Sequence, residues 1–465
     1  MTGYEILFGG LNFGLIAIVT TKLLRSPNRM LFWSPLLFYT FSWGYYSVLG
    51  PAVALLFNNT YDRGRDMRVF LEPALIGGFI SYLMTLVGYW FGRRISRRVL
   101  IPLRLTALWT QRELGKKLTF FGVTLMIVGL WLFFVAVGTG ITGMLNPFAL
   151  TNAGAGFGGA FTNYFGYGIQ LFIPGCILLL LACRRNAAAY YYFVPSLTLT
   201  VALYLQQGFR YRLVLLVGGM LIAYYLDRWK RPNAVVQAVS LAGTVMIMGL
   251  IGLTREYGKG LDLERLEQYN LFDIFGGGVG DSSIIFTTGA VFRTVPERIP
   301  HAWWSPIKGA LLMPIPSSIY GGKDTYGYSE ALLETIYGDG RSRGSVYMFF
   351  GEWYYAYGWP GLIMASLLLG YLMGLLWQWF LKRSDNLYAI TLYGCLMPFI
   401  YIVISRGYFA QVIMLFCFSA VPIYLIYRIN LRKLNGSTAA PRVISEGQVL
   451  QPSPSGLPIT NPGRR

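Results

Sequence analysis

The chain has 465 residues, of which 55% are hydrophobic and only 13% are charged, and its mean hydropathy is +0.49. Soluble globular proteins carry about 25% charged residues, so the composition excludes a soluble domain and predicts an all-α polytopic integral membrane protein. The net charge of +19 does not predict a nucleic-acid partner. Its basic residues cluster in short loops between apolar segments, where membrane proteins carry them to fix their topology.

A transmembrane helix needs about 20 mostly apolar residues, and eleven stretches meet that requirement. Their expected bounds are 4–24, 31–57, 69–92, 118–138, 161–182, 188–206, 211–227, 234–253, 359–381, 386–405 and 407–428. The chain then divides into an N-terminal transmembrane bundle over 1–253, a large loop over 254–357, C-terminal helices over 358–428 and a disordered tail over 429–465.

The distribution of Lys and Arg predicts the orientation. One side carries 24 of the 39 basic residues, in the loops 22–30, 93–117, 183–187, 227–233 and 382–385 and in the tail from 428. The positive-inside rule places that side in the cytoplasm. The N-terminus and the 254–357 loop are therefore expected to face outward, and the C-terminus to be cytoplasmic.

Three arginines stand in tight turns on the expected outer side, against this rule. Arg210 and Arg212 lie between spans six and seven, and Arg406 lies between spans ten and eleven. An arginine at a helix end often extends into the lipid headgroup layer. Its planar guanidinium also binds phosphate oxygens in pairs. The turns therefore predict either a headgroup contact or a site for the diphosphate of a lipid-linked substrate.

The 254–357 loop is the one long interval without a membrane-length apolar segment, and long loops often carry function. It holds nine of the 39 basic residues and the only histidine, His301. Residues 255–273 are charged and suit a short helix, and Asp281 can cap a second helix that runs to about Val295. His301 is a candidate base because histidine titrates near neutrality, although a lone loop histidine is more often structural. The single histidine and four scattered cysteines predict no metal site.

Glu352 is the only charged residue in the apolar and aromatic run 346–380. An ionisable group at membrane depth is costly and is a functional candidate for that reason, here as a general acid or base. The alternative is a structural ion pair with Arg341, Arg343 or another outer arginine. The aromatic residues nearby, Tyr347 among them, suit either the membrane interface or stacking on sugar rings.

Several short motifs in 200–430 carry a family resemblance. They are the turn Gly208-Phe209-Arg210, the stretch Pro314-Ile315-Pro316, Lys323, and the run from Ser345 to Gly370 with Phe350-Gly351-Glu352, Gly358 and Gly361. In these the chain resembles Wzy-type oligosaccharide repeat-unit polymerases, which make O-antigen and exopolysaccharide. An arginine often follows the second proline of Pro-x-Pro in that family. Ser317 stands there in this chain, so Arg293, Arg298 or Lys323 would have to take over the role of that arginine, or the role is absent.

The resemblance implies a GT-C-like helical core in the bacterial inner (plasma) membrane. It also implies a glycosyltransferase without metal or cofactor that joins polyprenyl-diphosphate-linked oligosaccharides at the outer face, and leaves open whether a chain-length regulator protein binds. The expected catalytic residues are Glu352, Arg210 and Arg406, and the expected substrate-binding residues are Arg212, Arg293, Lys323, Arg341, Arg343, Tyr347 and His301.

Three other functions remain open at this point. An O-antigen ligase has the same chemistry with a different acceptor, and reliance on His301 would favour it. A flippase or transporter for lipid-linked oligosaccharides predicts charges along a central pathway and often repeated, Gly/Pro-broken helices, neither of which the sequence shows. A structural component of an export complex is compatible with the basic 93–117 loop, which also suits a contact with anionic lipid.

Overall fold

The structure is a computed structural model. It describes residues 3–26, 29–56, 60–62, 65–99, 111–137, 162–206, 210–228, 230–256, 260–261, 270, 284–315, 319–320, 327–338 and 346–438. These residues are almost entirely helical, and two short antiparallel hairpins contain the strands among them.

The first half of the described chain contains ten α-helices. They are α1 (Gly3–Leu24), α2 (Pro35–Gly44), α3 (Gly50–Leu56), α4 (Leu71–Val99), α5 (Gln111–Val137), α6 (Thr162–Phe165), α7 (Phe172–Cys183), α8 (Tyr190–Gln206), α9 (Arg210–Leu226) and α10 (Ala234–Thr254). A π-helical turn, Tyr45–Leu49, joins α2 to α3. Shorter 3₁₀ turns span Arg29–Trp33, Arg68–Phe70, Gly166–Leu171 and Ala187–Ala189.

The second half contains three short helices followed by three long ones. They are α11 (Ile284–Thr294), α12 (Ser305–Leu312), α13 (Gly327–Tyr337), α14 (Phe349–Leu381), α15 (Leu387–Ser405) and α16 (Phe409–Thr438). Strand β1 (Tyr61–Asp62) pairs with β2 (Arg65–Asp66), and β3 (Arg255–Glu256) pairs with β4 (Gly260–Leu261).

Eight helices within the described ranges are long and apolar enough to cross a membrane. This confirms the prediction of an all-α, multi-pass membrane protein. The three other expected spans are not among these eight: Tyr211–Leu226 is a short apolar helix, α10 covers the expected span 234–253 but only its part Val235–Thr244 counts as apolar helix among the described residues, and the π-helical turn divides the stretch 31–57. The total of eleven spans therefore stays a prediction.

Helices α4 and α14 form the most extensive helix pair of the bundle. Two Gly-x-x-x-Gly stretches face each other there, Gly88 with Gly92 on α4 and Gly370 with Gly374 on α14. A Cβ atom at any of the four would overlap main-chain atoms of the other helix. Lipid supplies no hydrophobic force between helices, so such close main-chain approach is a main source of their association.

The same kind of contact joins two further helix pairs. Glycines of α5 face one glycine of α7 and one of the 3₁₀ turn that precedes it, and one glycine of α9 faces one of α15, each with little space for a side chain. The facing pairs are Gly122 with Gly175, Gly129 with Gly168, and Gly219 with Gly394. The bundle is therefore assembled from helix pairs that touch through their main chains.

Charged contacts identify one end of the bundle. Asp227 forms ion pairs with Arg184 and Arg185, the latter at 2.6 Å, while Arg231 donates to the carbonyl oxygens of Leu24 and Ser26. The loops 22–30, 183–187 and 227–233 thus lie together, as their shared basic character predicts. Helices α11 to α13 pack at the opposite end, which we call the loop end.

Helix α14 begins at Phe349, ten residues before the expected span. It is interrupted at Tyr357 (φ −135°, ψ 16°) and Gly358 (φ 65°, ψ −153°). Gly358 adopts a positive φ that a side chain would disfavour, and Pro360 follows inside the helix. The expected start at 359 therefore marks this break, and the part before it, which contains Glu352, is helical.

Two further boundaries differ from the sequence-based expectation. Within 255–273, Arg255–Glu256 and Gly260–Leu261 form the β3–β4 hairpin instead of a short helix, and 257–259, 262–269 and 271–273 lie outside the described residues. Helix α16 continues ten residues beyond the expected end at 428. Its added turns contain Leu, Arg and Lys, which are good helix formers, and cations suit a helix C-terminus. Residues 439–465 lie outside the described ranges.

The α4–α14 contact gives the first prediction. Replacing glycine with alanine inside a helix normally stabilises it by about 1 kcal/mol, but overpacking costs about 1–3 kcal/mol. We expect Gly370→Ala to lower the thermal midpoint of the detergent-solubilised protein, followed by fluorescence-detected size exclusion. Gly14→Ala is the matched control, since nothing lies within 4 Å of its added Cβ. A Gly370→Ala variant as stable as the control would contradict the contact.

Candidate active site

Glu352 lies in the first turn of α14, with 1% of its surface exposed. Its carboxylate accepts a hydrogen bond of 2.6 Å from the Tyr328 hydroxyl. The main-chain N–H of Phe409 donates to both carboxylate oxygens, at 3.0 and 3.1 Å. Phe409 is the first residue of α16, whose initial N–H groups have no partner within the helix. Glu352 therefore caps α16 from another helix, where negative charge is favourable.

The turn 406–408, which joins α15 to α16, is held at a second point. The N–H of Gly407 donates to the carbonyl oxygen of Tyr347 at 2.7 Å. A side chain at position 407 would overlap the Tyr347 ring, so only glycine fits. Together with the Phe409 bond to Glu352, this contact fixes the short turn that carries Arg406 against the start of α14.

Arg406 and Arg212 meet around one tyrosine. The guanidinium carbon of Arg406 lies 4.7 Å from the centroid of the Tyr211 ring, and that of Arg212 lies 5.8 Å from the same centroid. Arg212 also lies 5.9 Å from the Tyr204 ring and is 3% exposed, whereas Arg406 is partly exposed. The fold thus brings together two of the three arginines that the sequence placed in outer turns, and leaves Arg406 the more accessible one.

Buried hydroxyls surround the Glu352 carboxylate. The Ser329 and Tyr347 hydroxyls lie 2.8 Å apart, and the Tyr355 hydroxyl donates to the carbonyl oxygen of Tyr328. Burial, followed by the neighbouring Glu352, raises the pKa of Tyr328 and of Tyr347 well above the usual tyrosine range. Both phenols therefore stay protonated, and Tyr328 remains a donor to the carboxylate.

Tyr347 has a different position from the one expected of a sugar-binding residue. Its ring is completely buried and lies 6.0 Å from the Tyr408 ring. A buried ring offers no surface on which a sugar can stack. Tyr347 instead supports the 406–408 turn through its carbonyl oxygen and its packing.

His301 belongs to a loop that closes the first part of α14. Its Nδ1 lies 3.2 Å from the carbonyl oxygen of Tyr355. The N–H groups of Ala302 and Trp303 donate to the carbonyl oxygens of Tyr355 and Ala356, each at 3.0 Å. These carbonyls end the helical segment before the Gly358 break, so the loop satisfies them. The geometry gives His301 a structural position.

Arg293 lines a pocket of about 310 Å³ at the loop end. Arg65 and Arg298 line the same pocket, whereas Glu352, Arg406 and His301 do not. The structure therefore places Arg293 away from the Arg406 turn. Lys323, Arg341 and Arg343 lie outside the described residues, and so does the side chain of Arg210, although its main chain begins α9.

Sequence reasoning missed Tyr211 and Tyr328, the residues that organise the two parts of the site. Tyr211 stands between Arg210 and Arg212, and an aromatic ring beside arginines is a recognisable cation–π signal. Tyr328 has no such signal. It lies 24 positions before Glu352, and only the tertiary fold brings the two together.

Comparisons with known proteins give no further assignment. No family model matches the chain, and neither the curated proteins nor the solved structures contain a match. The resemblance to Wzy-type polymerases therefore rests on its short motifs. The function has to be argued from the geometry of the residues around Arg406 and Glu352.

The buried carboxylate gives the second prediction. A hydrogen bond to a charged group contributes about 1.5–3 kcal/mol, so we expect Tyr328→Phe to lower the thermal midpoint clearly. Tyr320→Phe is the matched control, because Tyr320 is an exposed tyrosine of the same loop. Equal midpoints for the two variants would show that the Tyr328–Glu352 bond does not stabilise the fold.

Proposed function

We propose that the protein is a glycosyltransferase that polymerises polyprenyl-diphosphate-linked oligosaccharide repeat units into a surface polysaccharide. The proposal includes eleven spans with a GT-C-like core in a bacterial inner membrane. The N-terminus and the loop end face outward, and the C-terminus is cytoplasmic. The observation that carries it is the placement of Arg406, which is held over Tyr211 beside Arg212 in a turn between two membrane helices.

The two lipid-linked glycans are the only substrates of the proposed reaction. The acceptor hydroxyl of one repeat unit attacks the anomeric carbon of the growing glycan. A new carbon–oxygen bond forms as the bond to the lipid diphosphate breaks. The proton of the hydroxyl balances the charge on the departing diphosphate, so the products are a longer lipid-linked glycan and a free lipid diphosphate.

Arg406 is suited to the leaving group. Negative charge grows on the diphosphate as its bond to the sugar breaks, and fixed cationic donors lower the energy of that transition state. A guanidinium keeps its charge and pairs with two oxygens at once. The turn 406–408 lies at the ends of α15 and α16, at the depth where the head of a membrane-anchored diphosphate is expected.

Glu352 acts in this proposal mainly as a positioning residue. Both of its oxygens accept a hydrogen bond from the first residue of α16, and one also accepts from Tyr328. Its carboxylate therefore holds the turn that carries Arg406. Holding the turn does not require Glu352 to act as the general base that the sequence suggested. The proposal names no group that deprotonates the acceptor hydroxyl.

An aromatic surface beside the site supports a sugar substrate. Trp303 and Trp304 are 58% and 68% exposed, and both rings contact Tyr357 edge to face. Trp353 stacks on Tyr357 and contacts Phe409. Aromatic faces suit the apolar C–H faces of sugar rings. This surface leads to the start of α16, where Glu352 and the Arg406 turn meet.

The third prediction tests the role of Arg406. In a host that makes the repeat unit but lacks this protein, the wild type is expected to restore a ladder of glycan lengths on a gel. Removing one transition-state donor typically costs about 100-fold to 1000-fold in rate, so Arg406→Ala is expected to leave mainly single units. Arg406→Lys keeps the charge without the two-pronged geometry and should restore only short ladders.

The control for this assay is Lys308→Ala. Lys308 is an exposed cation on α12 at the loop end, and its loss should leave the ladder unchanged. Expression of each variant is checked in membranes. A full ladder from an expressed Arg406→Ala variant would rule out the diphosphate role. If single units fail to reach the outer face without this protein, it is a flippase and the polymerase proposal is wrong.

The fourth prediction concerns His301 and the ligase alternative. Because its Nδ1 faces a main-chain carbonyl, we expect an expressed His301→Ala variant to retain the ladder with at most a modest loss of yield. His301→Asn, which keeps a polar group near Tyr355, should lose still less. If both variants abolish glycan transfer without reducing expression, His301 is catalytic and the ligase alternative is favoured.

A further inference from the structure

The pocket beside α11 combines three arginines from two separate parts of the chain. Arg65 comes from the β1–β2 hairpin, and Arg293 and Arg298 come from the end of α11 and the turn after it. Thr335 and Ile336 of α13 form another wall. The volume of about 310 Å³ is sufficient for a charged ligand group. Because the hairpin and the end of α11 are far apart in sequence, only the fold reveals this cluster.

The charge of the pocket is not balanced from within. Among the described residues of its wall, Glu297 is the single carboxylate, against three guanidinium groups. Among the ion pairs of the described residues, none joins Glu297 to Arg65, Arg293 or Arg298. One donor of Arg65 binds the carbonyl oxygen of Ile336, and no other hydrogen bond of its side chain is found to a described residue. A cavity lined by like charges concentrates ligands of the opposite charge.

Helix α13 connects this pocket to the candidate active site. Tyr328 near its start donates to Glu352, and Thr335 near its end lines the pocket. Seven residues of α-helix separate them, which is about 10 Å along the axis. A short oligosaccharide that lies beside the Tyr328 end of α13 spans such a distance. The pocket can therefore hold a sugar remote from the bond that forms.

We propose that this pocket is a second substrate subsite, which binds the carboxylate or phosphate group of an acidic sugar in the repeat unit. The proposal rests on the proposed function and adds the substrate class, an anionic glycan. Arginine matches it because its donors pair with the two oxygens of either group. The same chemistry is present in the phosphate of a lipid headgroup, so the test has to separate the two sources.

Direct binding provides the test. The purified protein is placed in phosphatidylcholine nanodiscs, and the binding of radiolabelled glucuronate is measured beside uncharged glucose. We expect glucuronate to bind more tightly than glucose. Arg293→Glu and Arg298→Gln are each expected to weaken glucuronate binding at least about tenfold, because the loss of one charge-assisted hydrogen bond lowers affinity by that factor. Lys308→Glu changes charge on a neighbouring exposed helix and should have no more than a twofold effect.

Two comparisons separate this subsite from its alternatives. Arg406→Ala should keep glucuronate binding; if it loses binding while Arg293→Glu keeps it, the anion binds at the active site and the subsite proposal is overturned. Replacing phosphatidylcholine with phosphatidylglycerol should leave the affinity unchanged. If phosphatidylglycerol competes with glucuronate in the wild type and not in Arg293→Glu, the pocket binds lipid headgroups and the glycan assignment is wrong.

The binding assay does not depend on polymerisation, so the subsite proposal and the polymerase proposal can each be refuted independently of the other. Equal binding of glucuronate and glucose, or equal binding by wild type and Arg293→Glu, overturns the subsite even if the protein polymerises glycan. Conversely, glucuronate binding that needs Arg293 and Arg298 supports the subsite even if the gel assay shows a flippase. In the polymerising host, Arg293→Glu is expected to shorten the ladder less than Arg406→Ala does.

Discussion

The main-chain contact between α4 and α14 is the constraint on which the site depends. Side chains at Gly88, Gly92, Gly370 or Gly374 would push the two helices apart. Closer to the loop end, the hydroxyls of Ser81 and Ser366 lie 2.8 Å apart across the same interface. In a bilayer, close packing and such hydrogen bonds replace the hydrophobic force that joins helices in water. They fix the position of α14, and its first turn presents Glu352.

Hydrogen bonds from the first turn of α14 and the residues before it hold the rest of the site in place. Glu352 holds the start of α16, the carbonyl oxygen of Tyr347 holds Gly407, and Arg406 stands between α15 and these two contacts. A cation that is fixed before the reaction stabilises developing charge without reorganising. A buried carboxylate normally carries a large desolvation cost. Here hydrogen bonds and the positive end of α16 offset it, so Glu352 holds the turn that carries Arg406.

Apolar length and charge placement predicted most of the helices, because each span is encoded in one continuous stretch. The same reasoning selected Glu352 as the lone charge of its run and Arg212 and Arg406 as outer arginines. It did not predict that Tyr211 joins those arginines, or that Tyr328 reaches Glu352, because both contacts depend on how distant helices pack. The start of α14 was placed too late for a related reason: Gly358 and Pro360 end a helix by local rules, but the loop around His301 closes the segment before them.

In the proposed orientation, the arginines of the loop end are notable because they face outward. The positive-inside rule removes basic residues from the outer ends of membrane proteins unless another interaction retains them. In the described part of the chain, Arg65, Arg212, Arg293, Arg298 and Arg406 occupy the loop end, while the nearby Glu352 carboxylate is already engaged by Tyr328 and α16. A diphosphate at Arg406 and an acidic group at the pocket beside α11 would each find the fixed positive charge that they require.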